Sequence, residues 1–369
     1  MTATVAYPEK IDFSTPKVTN RVMLDPTRLC SLRCSFCYYR PDDDFYSVKP
    51  LEKQLNEVKQ AVAWGCDSAD LTGGEPMQNP HVIELVKFAT ENKIYTRIIT
   101  SLICPEKTLD GVLDAGVADW LISMHGHNAE THNKIVEVPN ARKFQIRRMA
   151  KIASIMRYCA NYVVVEANQT EMADWARWIT TLDHQPPKVV NFLNYNPHFG
   201  ADKKMYDQAV AQIVDYRIAS PILDEAIDIL EEAGVGVNCR YTPMCAVAER
   251  HRKNICNDLH VAFDFGEWVN SFGSNRDAKS VYKTYSRPLS DGIEERGEPC
   301  HSCSHQFICG GANKIWHKLS KDKFGYETLH PLPVLAEGVA QDAFWHYRQN
   351  NVMGLDPRVQ GFRKLEASS

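Results

Sequence analysis

The sequence predicts an α/β fold: a parallel sheet with helical crossovers, followed by a smaller cysteine-rich region. Two patterns carry that expectation. From Arg21 to Ala233, short apolar runs alternate with amphipathic stretches in units of about 30 residues. After Gly234 the alternation gives way to cysteines, glycines, prolines and aromatics. Six strand–helix units fit the first region, short of the eight that close a full barrel. A curved open barrel and a doubly wound sheet both satisfy the pattern.

The expected strands are Arg21–Leu24, Ser68–Thr72, Tyr95–Thr100, Asp119–Met124, Tyr162–Ala167 and Val189–Tyr195. Helices are expected between them. Leu51, Leu55, Val58 and Val62 recur at helical spacing, as do Val82, Leu85, Val86 and Ala89. Ile222, Ala226, Ile229 and Ala233 form a third stripe, after a Ser220-Pro221 pair that reads as a helix start. The expected organisation is a barrel domain over 1–234, a cysteine-rich domain over 235–330 and an extension with a helix over 331–369.

The chain has 369 residues, 44% hydrophobic and 24% charged, with a formal charge of -4. That suits a globular enzyme and gives no basic excess for nucleic acid. The N-terminal residues lack a signal peptide's basic start and apolar core. No apolar run reaches the roughly 18 residues of a membrane span. The expected location is the cytoplasm, where clustered thiols serve as metal ligands or catalytic groups before disulfides.

The twelve cysteines fall into groups. Cys30, Cys34 and Cys37 sit in "RLCSLRCSFCYYRP", directly after the first strand. Cys239, Cys245 and Cys256 form a looser set, and Cys300, Cys303 and Cys309 a tight one. Cys66, Cys104 and Cys159 read as small buried hydrophobes. Three thiolates in one short loop can hold an iron–sulfur cube at three corners and leave one iron open; a zinc knuckle with a distant fourth ligand is the alternative. The "LTGGEP" stretch ends the second strand, with Gly73, Gly74, Glu75 and Pro76 in a tight turn.

The Cys30-x3-Cys34-x-Phe36-Cys37 loop, joined with the GGEP turn, resembles the radical S-adenosylmethionine superfamily over about Arg21 to Asn196. The resemblance implies a partial (β/α)6 TIM-like barrel. It also implies a [4Fe-4S] cluster on the three cysteines with S-adenosylmethionine at its open iron. Reductive cleavage would yield a 5′-deoxyadenosyl radical that takes a hydrogen atom from substrate. By the same resemblance Gly73, Gly74, Glu75 and Pro76 bind the methionine amino group, with Glu75 facing the ammonium. Ser123, His125 and Asn168 contact the ribose, and Leu193, Asn194 and Tyr195 meet adenine, Asn196 closing that stretch. His125, His127 and His132 lack the helical spacing of a metal pair.

The later cysteines resemble the SPASM or twitch extension of the same superfamily, which implies one or two auxiliary iron–sulfur clusters. Asn313 stands where the full pattern has a further cysteine, and none follows Cys309. The implied electron donor is a flavodoxin or ferredoxin, and no membrane partner is expected. Only 29 residues precede Cys30, too few for the leader-binding domain that peptide-modifying relatives carry. The expected substrate is therefore a small sugar, aminocyclitol or nucleoside, oxidised in a biosynthetic pathway. A ribosomal peptide is the alternative substrate, and a non-catalytic iron–sulfur carrier the alternative role. Arg240, Tyr241, Asp264 and Glu267 are candidate substrate contacts.

Overall fold

The computed structural model describes residues 21–37, 48–63, 66, 68–195, 203–255, 268–270, 303 and 314–325. Asn196, Cys256, Asp264, Glu267, Cys300, Cys309, Asn313 and the expected extension over 331–369 lie outside the described residues. Eight strands form one sheet: β1 Arg21–Thr27, β2 Ser68–Gly73, β3 Tyr95–Thr100, β4 Asp119–Ser123, β5 Cys159–Val164, β6 Val189–Asn194, β7 Gly236–Arg240 and β8 Trp268–Asn270. Their order is β7-β6-β5-β4-β3-β2-β1-β8, every neighbouring pair is parallel, and the sheet stays open. The sheet does not end at the expected boundary after Gly234, because β7 continues it beside β6.

The crossovers are α1 Leu51–Ala63, α2 Val82–Glu91, α3 Glu106–Asp114, α4 Ala129–Val136, α5 Ala141–Ala153, α6 Met172–Thr180, α7 Lys203–Gln212 and α8 Tyr216–Glu232, with α9 Lys314–Phe324 later in the chain. None of the described helices is long and apolar enough to cross a membrane. In α2 the expected stripe of Val82, Leu85, Val86 and Ala89 is buried. The buried face of α1 is turned by one residue, to Gln54, Val58 and Ala61, and leaves Val62 40% exposed. Gln54 enters the core because its amide is satisfied: it exchanges bonds with Asn79 and donates to the Lys49 carbonyl. Helix α8 starts at Tyr216, not at the Ser220-Pro221 pair. The Asp215 carboxylate caps it by accepting from the Arg217 N–H (3.0 Å). Pro221 then sits inside the helix, where it removes one backbone bond.

The outward faces of the strands and the helix stripes make the main core, which includes Trp120, Tyr162, Trp175 and Phe192. The inward faces form layers. Ile99, Leu121, Cys159 and Val189 stand in register across β3 to β6 and pack together as an apolar floor. One inward step toward the strands' C-terminal ends, Ser123, Asn161, Asn191 and Asn238 stand in register across β4 to β7. One step toward the N-terminal ends, Arg97 donates through Nε to Asp70 Oδ1 (2.9 Å) in a bidentate pair, both side chains nearly inaccessible. Arg97→Met strips the guanidinium from a buried carboxylate. The expected loss is about 3–5 kcal/mol, read as a lower urea midpoint.

Candidate functional site

At the C-terminal ends of the strands one cavity of about 350 Å³ opens, lined from both β1–β4 and β5–β7. Cys30, Cys34 and Cys37 form part of its wall, together with Gly73 and Gly74. The loop that carries the cysteines is held by backbone on two sides. Gly74 and Glu75 donate to the carbonyls of Thr27 (2.9 Å) and Leu29 (2.6 Å). Arg33 and Ser35 donate to Val136 (3.0 Å) and Ile135 (2.9 Å), at the end of α4. Leu32 anchors the loop in a small cluster with Val136 and Ala141, against which Cys30 and Cys34 pack.

The two glycines are required by close approach. Gly73 has φ +109, and a Cβ there would lie 1.9 Å from Asp25 Oδ1; at Gly74 it would lie 2.3 Å from the Leu29 carbonyl oxygen. Glu75 does not face the cavity. Its carboxylate is buried and accepts from the Met77 N–H (3.1 Å), the Thr100 hydroxyl and the Ser101 N–H (2.8 Å). It fastens the turn to the end of β3 through these three donors. Burial pushes it up to about 7, against those bonds. Pro76 is buried behind it.

Ser123, His125, Leu193, Asn194 and Tyr195 line the same cavity, as do Arg240 and Tyr241. The His125 ring is neutral: burial, then His132, holds it well below its usual range. Its Nδ1 accepts from the Val163 N–H (3.2 Å), which leaves the proton on Nε2. Phe36 of the cysteine loop meets that ring edge-on, centroids 4.8 Å apart. Asn168 lies outside the cavity, contrary to its expected place at the ribose. Its Oδ1 accepts from the Val165 N–H, and its Nδ2 donates to the carbonyls of His125 and Val163. Asn168 ties β5 to the turn after β4.

The residues present fit a cluster held at three corners. Three sulfurs share one wall of a cavity with room beyond them. Burial, then Glu75, pushes the Cys30 thiol up to about 12, and burial, then Cys37 and Cys30, raises Cys34 well above the usual thiol range. Thiols so placed disfavour one another's charge and would be relieved by a bound cation. Among the described residues, no three His, Cys, Asp or Glu side chains gather as a single ion requires.

The later cysteines divide. Cys239 is fully buried in the main core, on the helix-facing side of β7, opposite Asn238 and Arg240. Cys245 and Cys303 are half-exposed, and Cys66, Cys104 and Cys159 are buried as expected. Sequence reasoning missed the groups that brace the rim. Gln145 on α5 is fully buried and donates to the carbonyls of Ser101 (3.1 Å) and Ser123 (2.6 Å), tying β3 to β4. It also missed Arg97, Thr100, Ser101, Asn161 and Asn191 in the cavity wall. For Arg97, Asn161 and Asn191 the one signal is a polar residue at an inward strand position; Thr100 and Ser101 sit where β3 ends.

Residues 24–179 match the Radical SAM superfamily. A PqqA peptide cyclase of Methylorubrum populi is 28% identical over 137 residues, 36% of this chain and 35% of that protein. A GTP 3′,8-cyclase of Geobacter sulfurreducens is 28% identical over 186 residues, 48% of this chain and 56% of that protein. This chain thus covers about a third to a half of the curated relatives it matches. The crystal structure of Streptococcus suis SuiB bound to precursor peptide SuiA shares the fold, with a TM-score of 0.55 at 14% identity over 81% of this chain and 72% of that one.

Proposed function

With residues 24–179 a radical SAM domain, we propose that this chain is a radical SAM enzyme that modifies a peptide. The observation that carries the reading is the cavity walled by Cys30, Cys34, Cys37 and the Gly73-Gly74 turn. In this reading the three cysteines hold a [4Fe-4S] cluster, and S-adenosylmethionine binds beside it. When bound and reduced, that pair supplies a 5′-deoxyadenosyl radical for hydrogen-atom abstraction. The chain's own residues position and shield. The turn backbone faces the methionine end of the cofactor, His125 offers a neutral N–H, and Ser123 a hydroxyl. Leu193 and Tyr195 cover the upper wall and keep water from the reacting atoms. Glu75 acts from behind, by holding the turn.

The expected small-molecule substrate is corrected to a peptide. PqqA peptide cyclases from several bacteria are among the relatives, and SuiB binds a precursor peptide. A carrier role is set aside, since electron transfer alone has no use for the glycine turn against the loop. For the later thiols we propose an auxiliary iron–sulfur cluster that draws on Cys245 and Cys303, with Cys239 excluded by its burial in the core. A flavodoxin or ferredoxin would supply the electron.

The test is an anaerobic incubation of reconstituted protein with S-adenosylmethionine, dithionite and a peptide digest of perdeuterated protein. Deuterium in the 5′-deoxyadenosine formed supports peptide modification. Unlabelled product alone removes the peptide from the reading.

A further inference from the structure

The cofactor reading leaves a row of three asparagines inside the barrel without a role. Asn161, Asn191 and Asn238 stand in register on β5, β6 and β7. Asn238 Nδ2 donates to Asn191 Oδ1 (3.0 Å), and Asn191 Nδ2 donates to Asn161 Oδ1 (2.8 Å). The amides all run one way, and the row ends at Asn161. Asn161 is only 8% exposed and lines the cavity. Its own Nδ2 meets no acceptor among the described residues.

An amide N–H turned into a cavity with no protein acceptor is met only by solvent or by a bound molecule. Folding alone does not call for one here, because the adjacent layer is closed by Ile99, Leu121, Cys159 and Val189. On β5, Asn161 shares its layer with Ser123 of the cofactor's cradle, in register on β4, and carries that layer on toward β6 and β7. It lies one inward step deeper than Val163, whereas the glycine turn, Asn194 and Tyr195 stand at the strand ends. The bond from Asn191 fixes the Asn161 amide so that its oxygen is spent within the row and its N–H is offered to whatever fills the cavity.

We propose that Asn161 Nδ2 is a specificity-determining donor that binds an oxygen on the substrate side chain being modified, a carboxamide or carboxylate oxygen seated over the apolar floor. This rests on the peptide reading above. A site built to donate to such an oxygen discriminates strongly against an apolar isostere, which leaves the N–H unpaired.

The test uses holoenzyme with its cluster oxidised and S-adenosylmethionine bound, so that no radical forms. Binding of three peptides, acetyl-Gly-X-Gly-amide with X as Gln, Glu or Leu, is measured by saturation-transfer NMR. Wild type should bind the Gln or the Glu peptide at least about tenfold more tightly than the Leu peptide. A Gln preference identifies a carboxamide, and a Glu preference a carboxylate. Asn161→Asp keeps an oxygen for Asn191 and replaces the free N–H with an acceptor, so the preference over Leu should fall to about twofold or less. Asn161→Leu should remove it as well, with circular dichroism and the cluster's visible absorption reporting that each variant is folded and loaded. No preference in wild type, no binding of any of the three, or a preference that survives Asn161→Asp overturns the proposal. Failure of the functional reading shows separately, as wild type that forms no 5′-deoxyadenosine when reduced.

Discussion

Replacing Cys30, Cys34 and Cys37 together with alanine is expected to abolish 5′-deoxyadenosine formation, to the level of a protein-free control. The three sulfurs are the only protein ligands this reading gives the cluster, and they share one wall of the cavity. The loop itself should survive the change. Its shape is held by backbone bonds from Arg33, Ser35, Gly74 and Glu75 and by the burial of Leu32, none of which needs a thiol. Far-ultraviolet circular dichroism should therefore match wild type while iron and sulfide content falls. Product from the folded triple variant would place the chemistry elsewhere.

Glu75→Ala is expected to be the most destabilising single change at the site. It leaves the Met77 N–H, the Ser101 N–H and the Thr100 hydroxyl facing a cavity. Each buried donor left unsatisfied costs about 1–3 kcal/mol, so a loss of about 3–5 kcal/mol follows after local relaxation. Glu75 also gives a pH signature. Burial raises it from 4.5 to about 7 in the folded protein, so between those values the folded state holds a proton that the unfolded state has released. Stability is therefore fullest below about pH 4.5 and falls as pH rises to about 7, at up to about 1.4 kcal/mol per pH unit. Asp25, raised to about 6 by burial, slopes the same way, so the Glu75 share is the difference between wild type and Glu75→Gln. Urea midpoints of both proteins from pH 4.5 to 7.5 measure it; parallel curves would mean that Glu75 does not titrate there.

The strands were legible where a short run with apolar residues on its outward face sits between clear helical stripes. β3 falls on Tyr95–Thr100 as expected, and the starts of β2, β4 and β6 agree. β5 was read three residues late, at Tyr162–Ala167 and not Cys159–Val164. The inward Asn161 interrupts its apolar run, and the Val163–Val165 triplet drew the reading toward the loop. β7 was missed for the same reason. Its outward Val237 and Cys239 are buried, but inward it carries Asn238 and Arg240, which look like loop residues in sequence. A barrel that keeps polar groups inside for a ligand hides its strands from hydropathy.

Within the site, the cysteine loop and the glycine pair could be read because spacing and backbone need are local properties. The directions of Glu75 and Asn168 could not. Both are acceptor-rich side chains at strand ends, and what decided between cavity and scaffold was a partner that tertiary structure brought to each: the Ser101 N–H to Glu75, and the His125 carbonyl to Asn168. Gln145 was invisible for the converse reason, as a polar residue on a basic helix whose partners lie 22 and 44 residues away in the chain.

The most direct measurement of the central reading is electron paramagnetic resonance of the anaerobically reconstituted, dithionite-reduced protein with and without S-adenosylmethionine. The account predicts a reduced [4Fe-4S] signal whose g values change when S-adenosylmethionine is added, with this responsive signal absent from the Cys30, Cys34, Cys37 triple-alanine variant, where only a signal from the auxiliary cluster remains. A wild type with no signal that responds to S-adenosylmethionine, or a responsive signal that survives in the variant, would contradict it.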